Sequence, residues 1–260
     1  MLAQKQSGLT LLALWMQLME GGDLMNDVLL KRKDINGAFN AWMTDDEVRI
    51  VTWRVLKALE FMHSLSSDGS SILHRDLKPD NVLLARRGPD GCGDCATAKL
   101  ADLGHAKQLD GVSRTFSETV GTTEYMPPEF ADAILNKSTA GYTKALDMWQ
   151  AGVLIFVCFV QQYPYGGAGD RRSPQYQLMC TQVNQRILSQ GLQGTGPGVL
   201  DPLIPPGSMQ AVLFEARNVQ GRHLMQSLLQ RKPEDRPKVA DALNHPWFAG
   251  MPVLADAATP

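Results

Sequence analysis

At 260 residues, 44% hydrophobic and 20% charged, the chain has the apolar content of one or two globular domains, which excludes intrinsic disorder as its ground state. A formal net charge of −2 supplies no overall basic field for nucleic acid or for an anionic membrane surface. Four cysteines are too few for a disulfide scaffold. The one close pair, Cys92 and Cys95 in CGDC, has no second CxxC or His pair to complete a zinc site, and reads as a Gly-rich hairpin tip. A reducing compartment fits that usage, and the absence of a convincing signal or membrane-spanning segment leads to an expectation of cytoplasm or nucleus.

The first apolar run, Leu9 to Met19, is too short to span a bilayer and lacks the basic flank and small-x-small site of a secretory signal. With Gly21-Gly22-Asp23 after it, the run predicts a buried strand ending in a turn, and Asp23 is placed to cap a helix over Leu24 to Lys33. Thr44 and Glu47 have the spacing of a capping box. After them Val48, Val51, Val55, Leu59 and Met62 recur at steps of three and four, which predicts one buried face of a long helix.

The polar stretch Ser64 to Ser71 ends that helix, and ILHRDLKPDNVLLA then sets a charged cluster between two apolar runs. Such a cluster is costly to bury unless its charges meet partners or ligands. Val82 to Ala85 and Ala98 to Ala101 are β-like and joined by RRGPDGCGDC, the composition of a hairpin with an expanded tip. His105 to Met126 is a long Ser/Thr/Gly-rich connection of the functional or mobile kind. Ala145 to Val160 is apolar on every face, the pattern of a helix in the middle of a domain. Gly166 to Arg172 and Gln190 to Ser208 read as loops. A last helical region, His223 to Leu229, leads into RKPEDRPKVADALNHPWF, where Pro237 suits a first helical turn, and the tail beyond Phe248 reads as frayed.

HRDLKPDN, a hairpin and then DLG resemble the catalytic loop and metal-binding segment of the eukaryotic-type protein-kinase family. The order continues with GTTEYMPPE, resembling the family's Ala-Pro-Glu segment, with DMWQAG, resembling the buried helix that anchors the catalytic loop, and with RKPEDRP plus HPWF, resembling the end of the domain. Five ordered blocks are specific where a lone HRD is not, since Asp76 and Asn81 by themselves would read as an Asx-turn. The resemblance implies an α+β, protein-kinase-like fold that is mainly the α-helical large (C-terminal) lobe over residues 20–248. One residual small-lobe strand and hinge would precede it at 1–19, and a flexible tail would follow at 249–260.

The activity it implies is a serine/threonine protein kinase, moving the γ-phosphate of ATP to protein Ser/Thr hydroxyls with Mg2+ as cofactor, and with no nucleic-acid or membrane partner. Asp76 then stands at the catalytic base, Lys78 reaches the γ-phosphate, and Asn81 and Asp102 hold the metal ions. Val82, Leu83 and Leu84 form the floor under adenine. LLALWMQLMEGGDL resembles the fifth strand and hinge, so Met16 guards the pocket, the backbone of Gln17 and Met19 contacts adenine, and Asp23 faces the ribose. Without the downstream blocks the same segment is a plain strand and turn. In DLG, Leu103 replaces the usual phenylalanine and is expected to keep an apolar contact with His74.

Regulation is implied too. Arg75 and Lys107 match positions that clasp a loop phosphate, Glu118 stands where many members carry the phosphorylated threonine, and Thr119, with Ser113, Thr115 and Ser117, is a candidate acceptor. Thr122 matches the threonine that bonds near the catalytic Asp and Lys. Glu129 and Arg236 match a buried ion pair, and Asp147 matches the residue holding the catalytic-loop backbone. Asp23 and Asp80 would favour basic residues near the acceptor, but Val157 occupies a position that is acidic in the family. Nothing before Met16 resembles a Gly-rich phosphate loop, a Val-Ala-x-Lys strand or a helix with the paired glutamate, and Lys5 has no matching context. The expectation is a large lobe with most of its small lobe missing from these residues and an apolar surface exposed near Leu11 to Met16. The alternative reading is a non-catalytic, pseudokinase-like module that binds a partner or a nucleotide.

Overall fold

The computed structural model describes residues 2–6, 9–13, 15–31, 42–64, 70–110, 121–130, 141, 143–161, 163 and 209–251. The loops expected at 166–172 and 190–208, the candidate acceptors at 113–119 and the tail beyond 251 lie outside them.

The architecture is built round one apolar helix. Helix α2, Ala145–Val160, is buried from Leu146 through to Val160, as its sequence without a polar face requires. It packs on α1 (Asp45–Ser64), α3 (Met209–Ala216) and α4 (Val219–Leu228). The approach to the end of α4 is close: a Cβ on Gly152 would lie 2.8 Å from the Leu229 side chain, so a larger residue there would push the two elements apart. Trp247 and Phe248, in a 3-10 turn after the short helix α5 (Val239–Leu243), close the far side of the same core.

Helix α1 starts where the capping box places it. Thr44 N–H donates to Glu47 at 2.8 Å, and Glu47 N–H donates back to Thr44 Oγ1 at 3.2 Å. Its predicted stripe is the buried one: Val48, Val51, Val55, Leu59 and Met62 all face the core. Each such aliphatic side chain contributes about 1.5–3 kcal/mol of burial.

Strands are few and short. β1 (Leu2–Gln6) and β2 (Leu9–Ala13) form an antiparallel hairpin with Leu2 opposite Ala13. β3 (Gly22–Asp23), β5 (Val82–Leu84) and β6 (Ala98–Leu100) make a three-stranded sheet in that order, with Asp23 opposite Leu83 and Val82 opposite Leu100. β4 (Ser70–Leu73) pairs with β7 (Lys107–Asp110), Leu73 opposite Lys107. That last pairing joins the end of the polar stretch and the apolar Ile72–Leu73 to the start of the long Ser/Thr/Gly-rich connection.

Several expectations are corrected. Leu9 to Met19 is not one buried strand: β2 stops at Ala13, a second strand precedes it, and Trp15, Met16 and Leu18 stand 83%, 68% and 77% exposed. An apolar run predicts burial only if another layer covers it, and none of the described elements does so here. The helix expected from Leu24 is a single π-helical turn, Met25–Leu29, within the described residues; its N-cap is Leu24, and the Asp23 carboxylate accepts from Asn26 N–H at 2.7 Å. The helix expected from His223 starts earlier, at Val219, because Asn218 caps it through the N–H groups of Gln220 and Gly221. Pro237 precedes α5 instead of entering its first turn. Among the described residues no helix is long and apolar enough to cross a membrane.

The capping box gives a direct check. Thr44→Ala removes one of the paired bonds at the start of α1 and is expected to lower the unfolding free energy by about 0.5–2 kcal/mol in urea titrations, with the urea dependence unchanged.

Candidate active site

The segment His74-Arg75-Asp76-Leu77 has no strand or helix to satisfy its backbone, and two side chains of α2 supply the partners. Asp147 and Gln150 are three residues apart and so share a helix face. Asp147 is fully buried, and its carboxylate accepts from His74 N–H at 3.0 Å and Arg75 N–H at 2.9 Å, with His63 Nε2 at 2.8 Å. Gln150 accepts from Leu77 N–H at 3.0 Å and donates to the Arg75 carbonyl at 3.1 Å. These bonds hold Arg75 at φ 66°, a left-handed conformation that an unsupported arginine rarely adopts. Gly121, at φ 105°, brings the next segment over this loop, and a Cβ there would sit 2.7 Å from the Arg75 carbonyl oxygen.

The loop presents Asp76 to a ring of donors. Its Oδ1 accepts from Thr122 N–H at 3.0 Å and Thr122 Oγ1 at 2.8 Å. Its Oδ2 meets Lys78 Nζ at 2.9 Å and Asn81 Nδ2 at 3.1 Å. Lys78 also donates to Thr122 Oγ1 at 2.9 Å, and Asn81 Nδ2 to the Asp76 carbonyl at 2.8 Å. Burial alone would raise the Asp76 pKa, but the bonds from Lys78, Thr122 and Asn81, with the charge of Lys78, outweigh it and hold the carboxyl below its ordinary value. Asp76 is therefore an anion at neutral pH.

Asp102 lies beside this ring. The Asn81 carbonyl accepts from Ala101 N–H at 2.9 Å, and the Ala101 carbonyl meets His74 Nε2 at 2.9 Å. His74 Nδ1 accepts from Asp76 N–H at 3.3 Å, so Nε2 is the nitrogen that carries the proton. Asp102 itself is exposed, with φ 60°, and one carboxylate oxygen accepts from Gly104 N–H at 3.0 Å. Leu103 does not pack as expected. It is 61% exposed, and the His74 ring is held by the Ala101 carbonyl.

A divalent ion of the Mg2+ type wants hard oxygen ligands and takes only one or two from protein when a phosphate supplies others. Asn81 turns its Nδ2 to Asp76, which leaves its carboxamide oxygen, and Asp102 has a second carboxylate oxygen, each without a partner among the described residues. That donor set fits. No cluster of three or more His, Cys, Asp or Glu suited to a metal occurs among the described residues, Cys92 and Cys95 included, so nothing resembles an all-protein cage.

On the hinge side the expected residues are only partly brought together. Leu83 faces Asp23 across β3 and β5. The Asp23 carboxylate is occupied by Asn26, whose Nδ2 lies 3.1 Å from both its oxygens. Gln17 Oε1 accepts from Lys99 at 2.6 Å, and the Met19 carbonyl accepts from Gly22 N–H at 3.1 Å. Met16 is exposed. Asp27 ties this turn down: Lys31, at 2.8 Å, holds its carboxyl below the ordinary value, and its other oxygen accepts from Asp23 N–H at 3.3 Å.

Behind the site Arg236 and Glu129 form a two-bond pair at 2.8 and 2.7 Å, with the guanidinium 4.9 Å from the Trp149 ring and further bonds to the carbonyls of Ala145, Gln230 and Arg231. Arg75 turns its Nε to the His105 carbonyl, while Lys107 is exposed on β7. Glu118 and Thr119 lie outside the described residues.

A family model described as the protein kinase domain matches residues 5–248. The chain belongs to that family. It is 29% identical over 249 residues to the serine/threonine-protein kinase RAD53 of Saccharomyces cerevisiae, covering 92% of this chain and 24% of that protein. It is 28% identical over 244 residues to the ovarian-specific serine/threonine-protein kinase Lok of Drosophila melanogaster (93% and 41%), and 26% identical over 246 residues to calcium-dependent protein kinase 6 of Plasmodium berghei (90% and 12%). The kinase domain thus spans less than half the length of these relatives.

Sequence reasoning passed over Gln150, His63 and Gly121. Gln150 carried a signal, being a polar residue in an apolar helix three positions after Asp147. His63 lies on another helix and is joined to Asp147 only by the fold.

Two predictions follow from the geometry of the kinase domain. Glu129→Ala strands the Arg236 charge in the interior and should lower the unfolding free energy by about 3–5 kcal/mol, more than Glu129→Gln, by urea titration. Because the Asp76 pKa is depressed in the fold, its contribution to stability is complete above its unfolded value of about 3.9 and is lost as pH falls through the lower folded value. In Asp76→Asn the acid limb of a stability–pH curve should be correspondingly flatter below about pH 4.

Proposed function

We propose that the kinase domain transfers the γ-phosphate of ATP to serine or threonine hydroxyls of proteins. The observation that carries this reading is the closed ring of Asp76, Lys78, Thr122 and Asn81 on a backbone fixed by Asp147 and Gln150. A carboxylate held below its ordinary pKa is a weak base. It suits a reaction in which the acceptor hydroxyl is oriented first and gives up its proton late, when the bond from the γ-phosphorus to the bridging oxygen of ADP is largely broken. The new bond joins the hydroxyl oxygen to that phosphorus, ADP leaves with the bonding pair, and the proton passes to Asp76 and then to solvent.

Lys78, 2.9 Å from Asp76, would reach both the acceptor and the transferred group. Asn81 and Asp102 would hold Mg2+, which neutralises phosphate charge when bound. Leu83 would support the adenine, and the backbone of Gln17 and Met19 would contact it. The similarity to two curated serine/threonine-protein kinases supports this acceptor class. Cytoplasm or nucleus is the compartment proposed with it. Arg75 and Lys107 are proposed to face an activation-loop charge, supplied by Glu118 or by phosphorylated Thr119.

A second reading is nucleotide or partner binding without transfer. Transfer of labelled γ-phosphate from Mg-ATP to a generic protein substrate separates the two. Chain 1–260 is expected to transfer, and Asp76→Ala and Asp102→Ala each to lose about a hundredfold or more. A folded chain that binds a fluorescent ATP analogue but transfers nothing would favour the second reading.

A further inference from the structure

The turn that closes the core beyond α5 is joined to α4 by two imidazole rings. His223, on α4, and His245, the residue before Pro246–Phe248, bring Nδ1 and Nε2 within 2.8 Å of each other, with their ring planes 21° apart. His245 also caps the turn, since its Nδ1 accepts from Trp247 N–H at 3.2 Å. One placement of protons satisfies both contacts. His245 Nδ1 must be bare to accept, so that ring's proton sits on Nε2 and is donated to a bare Nδ1 of His223. Both rings are then neutral.

An added proton has only those two bare nitrogens to occupy, and each already faces an N–H. On His245 Nδ1 it opposes the Trp247 amide. On His223 Nδ1 it opposes the His245 Nε2–H, and a shared proton survives between the rings only if His245 carries its own on Nδ1, again against Trp247. The first proton therefore removes either the bridge or the cap, and a second sets two cations side by side. His223 is exposed and His245 partly so, which opens both to protons from water. Burial, and then the charge that His223 gains, hold the His245 pKa below its ordinary value. Among the described residues no carboxylate pairs with either ring. α1, which also meets the turn, carries Asp45 bonded to Arg217, Asp46 to Arg49 and Glu47 to Thr44 near its start. Arg222, beside His223, lies over the Phe214 ring, and Glu215, Lys238 and Asp241 on the neighbouring elements are exposed.

This joint secures the edge of the core. The buried Trp247 ring lies 6.0 Å from that of Phe159 on α2, and a Cβ on Gly221 of α4 would sit 2.8 Å from the indole, so α4 rests directly on it. We propose that His223 and His245 form a proton-operated latch between α4 and the Pro246–Phe248 turn, closed while both rings are neutral and released when the pair takes a proton from water. Release frees the Trp247 amide and loosens the seat of α4 on the indole. Because the His245 pKa is lower in the fold than in the unfolded chain, the latch contributes fully above the unfolded value of about 6.5, and that contribution is lost as pH falls through the lower folded value. The inference does not depend on phosphate transfer, since neither histidine belongs to the Asp76 ring.

The test is amide hydrogen exchange of chain 1–260 at about pH 7.5 and about pH 5, read as the protection factor of Trp247 relative to amides in the second half of α2. That ratio is expected to fall about tenfold in acid. His245→Asn supplies an oxygen that caps Trp247 N–H without titrating, and its ratio should be the same at both pH values. In His223→Gln, which removes the titrating acceptor of the bridge, the fall should be smaller than in the unaltered chain. His223 is exposed, so that variant carries the test if His245→Asn does not fold by circular dichroism. An unaltered chain whose ratio is equal at the two pH values, including one in which Trp247 and α2 lose protection together, overturns the proposal. So does a tenfold fall that persists in the folded variants.

Discussion

The buried carboxylate of Asp147 is the constraint on which the rest of the site depends. A carboxylate at zero exposure is tolerated only where donors surround it, and the donors here are the backbone N–H groups of His74 and Arg75, with His63 beside them. The dependence runs both ways. The loop has no regular structure to satisfy its own backbone, so it takes the conformation that delivers those two N–H groups to α2, and Arg75 is left-handed as a result. Asp76, the next residue, is thereby aimed at Lys78, Asn81 and Thr122.

A rigid, apolar α2 makes this possible. Its burial from Leu146 to Val160 fixes the helix against α1, α3 and α4, so the two polar groups it carries near its start are held with the precision of the core. The Glu129–Arg236 pair lies close to the same end, with the guanidinium bonded to the Ala145 carbonyl and stacked over Trp149. The geometry of the His74–Leu77 loop and the stability of the kinase domain therefore share one structural origin, and changes near the start of α2 should affect both.

Much of this was legible in the sequence where local chemistry decides the outcome. The Thr44–Glu47 box and the three-and-four spacing after it set α1, the unbroken apolar run set α2, and the two β-like runs flanking RRGPDGCGDC set the β5–β6 hairpin. The ordered HRD, DLG and DMWQAG blocks marked the residues that the fold then gathers. What the sequence did not disclose were features decided by distant partners. The pairing of β4 with β7 joins segments far apart in the chain, His63 reaches Asp147 from another helix, and Leu103 is solvent-exposed although it is apolar. Trp15, Met16 and Leu18 look like core residues by type, yet burial requires a covering layer that none of the described elements provides, and Met16 is exposed as expected for the apolar surface near Leu11 to Met16.

The claim that Asp147 holds the His74–Leu77 loop is tested most directly by amide hydrogen exchange at His74 and Arg75. In the unaltered chain those two amides should be protected nearly as well as the amides of α2, although they lie in neither helix nor strand. In Asp147→Ala they should lose that protection while the second half of α2 keeps its own. Equal protection of His74 and Arg75 in both proteins would contradict the account.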